Sequence, residues 1–126
     1  MIDLNVIYTK TEGFAKSGLI DSLSNIKDSK VFIFSGTKDT TVYPLVAKKG
    51  EEMYHHYGAN VKTEYTLAAV HTQPTNDKTL TSCGIAGSPY ISNCDYNGAF
   101  EALNHISRRA PLKQPETKKK ENLFTY

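Results

Sequence analysis

An α/β fold with two parallel strands joined by a helix follows from three features of the chain. Val31-Phe32-Ile33-Phe34 is a continuous apolar run, entered from Lys30 and closed by Ser35-Gly36. Pro44 opens a stretch of helical apolar spacing that Gly58 stops, and a second strand-like segment, Val61 to Leu67, follows directly. A helix between two strands is the connection that parallel pairing needs.

The first element is open to two readings. Ile2, Leu4, Val6 and Tyr8 alternate as in a strand, while Leu4, Ile7 and Tyr8 share a helical face. The solvated Thr-Lys-Thr-Glu at 9–12 carries no strand alternation, so the spacing predicts a helix to about Ala15, ended by Gly18. Residues 21–29 are polar and turn-like. The run at 31–34 does not alternate, so both its faces should be covered, as in a central parallel strand beneath helices. Its shortness, its β-branched and aromatic content and the closing glycine favour a strand over a buried helical segment.

Pro44 fits the first turn of a helix, where its missing N–H loses nothing. Leu45, Val46, the alkyl part of Lys49, Met53 and Tyr57 form the expected inner stripe. The next strand, at 61–67, carries apolar Val61, Tyr65 and Leu67. Residues 70–94 read as a long loop rich in Thr, Ser, Pro and Gly. Asp95 is placed to cap a last helix, with Ala99, Phe100, Leu103 and Ile106 on its buried face. Residues 1–107 thus form the folded part, and 108–126 a polar tail or connection. No internal repeat is visible. Two strands fall short of the five or six of a mean sheet, so the sheet is expected to be incomplete.

Composition bounds the function. The 126 residues include 39% hydrophobic and 22% charged residues, the balance of a globular domain. A net charge of +2 does not make a nucleic-acid face, and Lys118-Lys119-Lys120 lies between Glu116 and Glu121 as a solvated run. No apolar run is long enough to cross a bilayer, and residues 1–20 lack the pattern of a signal peptide. Cys83 and Cys94 are compatible with one disulfide or with two free thiols.

Working groups of open α/β sheets gather at the carboxyl ends of strands. Asp39 lies just past the first strand, after the Ser35-Gly36-Thr37 turn, and His71 just past the second, after Ala68 and Ala69. On parallel neighbours both side chains emerge at one end, where a carboxylate can accept the imidazole Nδ1–H, fix its tautomer and stabilise the cation formed on proton transfer. Asp before His is also the chain order of α/β-hydrolases, in which the serine precedes both. The bland alternatives are common: an Asp after a glycine turn often bonds its own backbone, and a loop His is often a surface residue. His55 and His56 are adjacent on a helix, about 100° apart, and read as surface residues. His105 sits near a helix C-terminus, where positive charge suits the dipole. A zinc site from His71, Cys83 and Cys94 would need a Cys-x₁₀-Cys spacing, wide for zinc.

Three blocks carry a resemblance. Val31-Phe32-Ile33-Phe34-Ser35-Gly36-Thr37-Lys38-Asp39-Thr40-Thr41-Val42, then Ala68-Ala69-Val70-His71-Thr72-Gln73-Pro74-Thr75, then Ser88-Pro89-Tyr90-Ile91-Ser92-Asn93-Cys94-Asp95-Tyr96 resemble, in order and spacing, the polyhydroxybutyrate depolymerase family of esterases. Gly18-Leu19-Ile20-Asp21 also looks like the family, and the resemblance covers roughly residues 15–107.

The resemblance implies a secreted, extracellular serine esterase of α/β-hydrolase fold, cleaving polymeric or short esters of hydroxyalkanoic acids, with no cofactor and no metal. It implies Asp39 as triad acid, His71 as triad base, a Cys83–Cys94 disulfide in the loop after the histidine, and Tyr90 bordering the substrate cleft. Two departures stand out. Val70 occupies a position, directly before the histidine, where the family usually has a glycine or small residue. No Gly-x-Ser-x-Gly occurs in these 126 residues; Ser35 and Ser88 each have one flanking glycine and neither sits on a strand-to-helix elbow. The chain is therefore expected to be the C-terminal part of such a hydrolase. The nucleophile and the first strands would belong to an N-terminal half outside it, leaving Asp39 and His71 inactive alone. The alternative is a non-catalytic binding module derived from the same fold. An unpaired strand edge and an uncovered apolar face predict self-association of the chain by itself.

Overall fold

A computed structural model describes residues 1–107 and 111–113; most of the expected tail lies outside the described residues. The first helix, α1 (Leu4–Lys16), begins at Asp3, whose carboxylate accepts the Asn5 N–H at 2.9 Å. It ends in a turn through Gly18, at φ 73°. The helical reading of the ambiguous first segment holds. Leu4, Ile7, Tyr8, Thr11 and Ala15 form its half-buried stripe, and Tyr8 stacks on the His56 ring at 3.8 Å.

A short 3₁₀ turn (Leu23–Asn25) leads into β1 (Lys30–Phe34), followed by α2 (Pro44–His56) and β2 (Asn60–Glu64). The strands pair parallel, Lys30 with Asn60 through Phe34 with Glu64, as the helix between them requires. Successive strand residues point to opposite faces, so Lys62 reaches Glu101 on the last helix at 2.8 Å while Tyr65 donates to Glu51 on α2 at 3.1 Å. Burial, then the Glu51 hydrogen bond and charge, push the Tyr65 phenol up to about 12.

Several expectations need correction. The second strand stops at Glu64 rather than Leu67, because the Glu64 carboxylate turns back to accept both the N–H and the hydroxyl of Thr66. The loop at 70–94 contains two three-residue strands, β3 (Gln73–Thr75) and β4 (Ile91–Asn93), paired parallel. They are too short to show alternation in the sequence. The last helix, α3 (Gly98–Ile106), is capped by Asn97, not Asp95: the Asn97 side-chain Oδ1 accepts the Phe100 N–H at 3.0 Å.

Both long stripes match the expectation only in part. On α2 the half-buried positions are Pro44, Ala47, Lys49, Gly50, Glu51, Met53 and Tyr54; Lys49, Met53 and, just past the helix, Tyr57 are thus half-buried as expected, while Leu45 and Val46 are exposed. On α3 they are Phe100, Glu101, Ala102, Asn104 and His105, following buried Gly98; Phe100 is half-buried as expected, with Ala99, Leu103 and Ile106 exposed. Polar anchors help to set these rotations. Glu51 meets Tyr65, Glu101 meets Lys62, and the His105 ring binds the Asn60 carbonyl at 3.1 Å. The strand at 30–34 stays half-buried rather than covered on both faces.

Ala59, just before β2, is buried, and the other buried residues among those described lie past the carboxyl ends of β1 and β2. Ser35, Gly36, Asp39, Ala69, Pro74, Ser92 and Gly98 are all buried. Gly36 admits no side chain, since a Cβ there would stand 2.1 Å from the Ala69 carbonyl oxygen. Gly98 is similarly pressed on Pro74, with a Cβ position 2.8 Å from its ring.

Candidate active site

Two loops leave the sheet side by side. The segment after β1 closes a turn through the Asp39 N–H to the Gly36 carbonyl at 3.1 Å. The segment after β2 runs along it: Thr37 N–H donates to Leu67 O at 2.8 Å and Lys38 N–H to Ala69 O at 3.0 Å. These cross-loop bonds extend the parallel pairing beyond the strands and fix where Asp39 and His71 emerge.

His71 Nδ1 lies 3.0 Å from Asp39 Oδ2. The other carboxylate oxygen, Oδ1, accepts the N–H groups of Thr41 and Val42, each at 2.9 Å. Both readings of the aspartate therefore hold together: it organises its own turn with one oxygen and holds the histidine with the other. Burial pushes the Asp39 carboxyl up, but the His71 hydrogen bond, the Val42 and Thr41 N–H groups and the charge on His71 together outweigh it. The net result lies below the ordinary value of 3.8.

Asp39 is buried, while the His71 side chain is 47% exposed. The ring is thus anchored through Nδ1 and open to the cleft on its far side. That is the arrangement by which an imidazole, held in one tautomer, can take a proton through Nε2.

The cleft, of about 340 Å³, is lined by Phe34, Ser35, Asp39, Val42, Ala47, His71, Thr72, Gln73 and Tyr90. Tyr90, expected to border a substrate cleft, lines this cavity and is exposed, at φ 60°. Its backbone is tied to the histidine loop, the Gln73 N–H donating to Tyr90 O at 2.8 Å. Thr72 and Ser92 share a hydroxyl contact of 2.8 Å immediately behind His71.

Cys83 and Cys94 are disulfide-bonded, with Cα atoms 4.7 Å apart. The bond removes both sulfurs as thiolate ligands, so the zinc reading fails. Val70, the bulkier residue before His71, is accommodated half-buried, with its N–H donating to Cys83 O at 3.1 Å. The disulfide loop therefore supports the histidine loop directly. Among the other histidines, His55 and His56 each lie 3.6 Å from a glutamate, Glu51 and Glu12 respectively. Neither lines the cleft.

Sequence reasoning missed Ser35, Thr72 and Ser92, and it anticipated that Asp39 could bond its own turn without naming the N–H groups of Thr41 and Val42. The two N–H groups had a signal, because an Asp followed by Thr-Thr-Val after a glycine turn is an Asx-type sequence. The Thr72–Ser92 contact depends on β3 pairing with β4 and had none.

No protein-family model matches the chain. It is 34% identical over 107 residues to the poly(3-hydroxybutyrate) depolymerase of Delftia acidovorans, a match covering 83% of this chain and 22% of that protein. It is 41% identical over 91 residues to the polyhydroxybutyrate depolymerase of Talaromyces funiculosus, covering 69% and 27%. The chain thus spans about a quarter of the length of these curated relatives. Among solved structures, the PHB depolymerase from Penicillium funiculosum matches with a TM-score of 0.64 at 34% identity, over 78% of this chain and 32% of that one. A PHB depolymerase with a serine-to-alanine substitution, complexed with an R3HB trimer, matches with a TM-score of 0.62 at 34% identity, over 71% and 30%. The fold is accordingly that of part of an α/β-hydrolase. In sequence and in fold, the chain is a partial-length relative of the polyhydroxybutyrate depolymerases.

Proposed function

We propose that this chain supplies the acid and the base of a serine ester hydrolase acting on esters of hydroxyalkanoic acids, and that the serine comes from outside these 126 residues. Asp39 orients His71 and stabilises its protonated form. His71 takes the proton of the serine hydroxyl through Nε2 as the oxygen attacks the ester carbonyl, then returns it to the departing alcohol oxygen. The observation that carries this reading is the 3.0 Å contact between His71 Nδ1 and Asp39 Oδ2 at the carboxyl ends of adjacent parallel strands. The relatives' names supply the substrate class. The disulfide supports an extracellular or secretory setting, where such bonds persist.

The missing nucleophile makes a sharp test. The chain alone should hydrolyse a 3-hydroxybutyrate ester no faster than its His71→Ala variant. Grafted in place of the matching segment of a full-length relative, residues 1–107 should support hydrolysis that His71→Ala abolishes and Asp39→Asn cuts by orders of magnitude. A graft that folds, binds the ester and does not turn it over would favour the binding module. A graft whose activity survives His71→Ala would remove the assigned base.

A further inference from the structure

The bend that carries His71 has little backbone support. Val70 N–H donates to Cys83 O at 3.1 Å, and Gln73 N–H donates to Tyr90 O at 2.8 Å. Between them, neither His71 nor Thr72 forms a backbone–backbone hydrogen bond among the described residues. Two side-chain contacts bridge the gap. His71 Nδ1 lies 3.0 Å from Asp39 Oδ2, and Thr72 Oγ1 lies 2.8 Å from Ser92 Oγ.

The two ends of the second contact differ in character. Ser92 is 1% exposed and sits in β4. The residues after it are tied down: Asn93 N–H donates to Thr81 O and Cys94 N–H to Thr75 O, each at 2.8 Å, and Cys94 is in the disulfide. Thr72 is half-buried and lines the cleft. A buried hydroxyl needs a hydrogen-bond partner, and Thr72 gives Ser92 one. Ser92 is thus a fixed post, and Thr72 moors the histidine bend to it. The contact through Nδ1 alone would leave the ring free to pivot on Asp39 as the bend shifts. A base that must meet a serine from elsewhere in the fold has to be held within about 0.5 Å.

We propose that Thr72 is a positioning residue for His71, its hydroxyl contact with Ser92 holding the imidazole on Asp39 and Nε2 toward the cleft. Thr72 acts here through its neighbour and not on a reacting atom. The role rests on reading Asp39 and His71 as an acid–base couple.

The test is the tautomer of neutral His71, read from long-range proton–nitrogen NMR spectra of the 126-residue chain at about pH 8.5, where an ordinary histidine is neutral. Asp39 holds the proton on Nδ1, so the parent should show that form. Thr72→Val keeps the shape and removes the hydroxyl, and it should give a mixture of the Nδ1–H and Nε2–H forms. Ser92→Ala should do the same. The double variant should go no further than either single change, because both act through one contact. It also leaves no buried hydroxyl without a partner, so it serves if Thr72→Val does not fold. Thr72→Ser keeps the hydroxyl and should keep the parent tautomer. A residue needed only for packing would lower thermal stability and leave the tautomer unmoved; that result in a folded Thr72→Val or double variant overturns the proposal. In an active graft, Ser92→Ala should lower kcat about tenfold or more at unchanged KM. A graft inactive with the parent sequence, while the tautomer still responds in the chain alone, would instead count against the ester-hydrolase reading and leave Thr72 in place.

Discussion

The loop end of the β1–β2 pair and the outer faces of its helices are organised in opposite ways. At the loop end, Ser35, Gly36, Asp39, Ala69, Pro74 and Ser92 are buried although most are small or polar. They are held by cross-loop backbone bonds, by a glycine without room for a Cβ, and by the disulfide loop bonded to Val70. On the helices, the large apolar side chains of Leu45 and Leu103 are 66% and 52% exposed, and polar contacts to the strands set the rotation. Hydrophobic area alone does not place Asp39 against His71; backbone geometry does. Leu45, Val46, Leu103 and Ile106 are exposed, and they form the surface on which this chain should self-associate.

The sharpest way to break the contrast is Gly36→Ala. Its new methyl group would meet the Ala69 carbonyl at 2.1 Å, and the obstacle is backbone, so the two loops must part. The expected loss is about 3 kcal/mol or more, read from denaturant unfolding, together with loss of the Asp39–His71 contact. A variant as stable as the parent would mean that the loops slide freely. Replacing Cys83 and Cys94 by serine should come next. Opening the loop, with its sequence separation of 11, should lower stability by about 3 kcal/mol in the chain-entropy account. The His71 loop should loosen with it, because Val70 bonds to Cys83. Unchanged hydrogen-exchange protection at Val70 would show that the disulfide loop is not its support.

Asp39→Asn is smaller and pH-dependent. The amide keeps the turn bonds through its oxygen but loses the charge-assisted bond to His71, for an expected 1–2 kcal/mol, about that of one such hydrogen bond. The Asp39 carboxyl lies below its ordinary 3.8 in the folded chain. Its contribution is therefore fully present above 3.8 and is lost as pH falls through the lower folded value. The parent and Asn proteins should differ at neutral pH and converge in acid; a difference that persists there would assign the effect to packing.

The same contrast explains what could be read from the sequence. The run at 31–34, Pro44, Gly58 and the segment from Val61 gave the parallel pair, because each is a local signal of strand, helix start or helix stop. From that pair the meeting of Asp39 with His71 followed by topology. The helix faces were read only in part, Met53 and Phe100 being half-buried but Leu45, Val46, Leu103 and Ile106 exposed, because periodicity ranks residues by hydrophobicity, whereas Glu51, Glu101 and His105 turn inward to partners on β2 or, for Tyr65, just beyond it. Those partners are distant in sequence, and no window along one helix contains them. The β3–β4 pair and Ser35 escaped for related reasons: three-residue strands carry no period, and a serine after a strand looks like any turn residue.

The smallest expected effect on stability tests the other half of the contrast. Leu45→Gln and Leu103→Gln replace large apolar groups, and in a helix turned inward by its apolar stripe each would remove core packing worth 2 kcal/mol or more. Here both side chains are more than half exposed, and glutamine is as good a helix former as leucine. Each change should therefore move unfolding stability by no more than about 0.5 kcal/mol. The visible consequence should be association: the parent should form concentration-dependent dimers or larger species in sedimentation, and the double variant should shift toward monomer. A loss near 2 kcal/mol would mean that these leucines pack inward after all, against the rotation set by Glu51 and Glu101. A monomeric parent with a single sharp unfolding transition would mean that the exposed stripes are no liability, and would favour a self-sufficient binding module over part of a larger hydrolase.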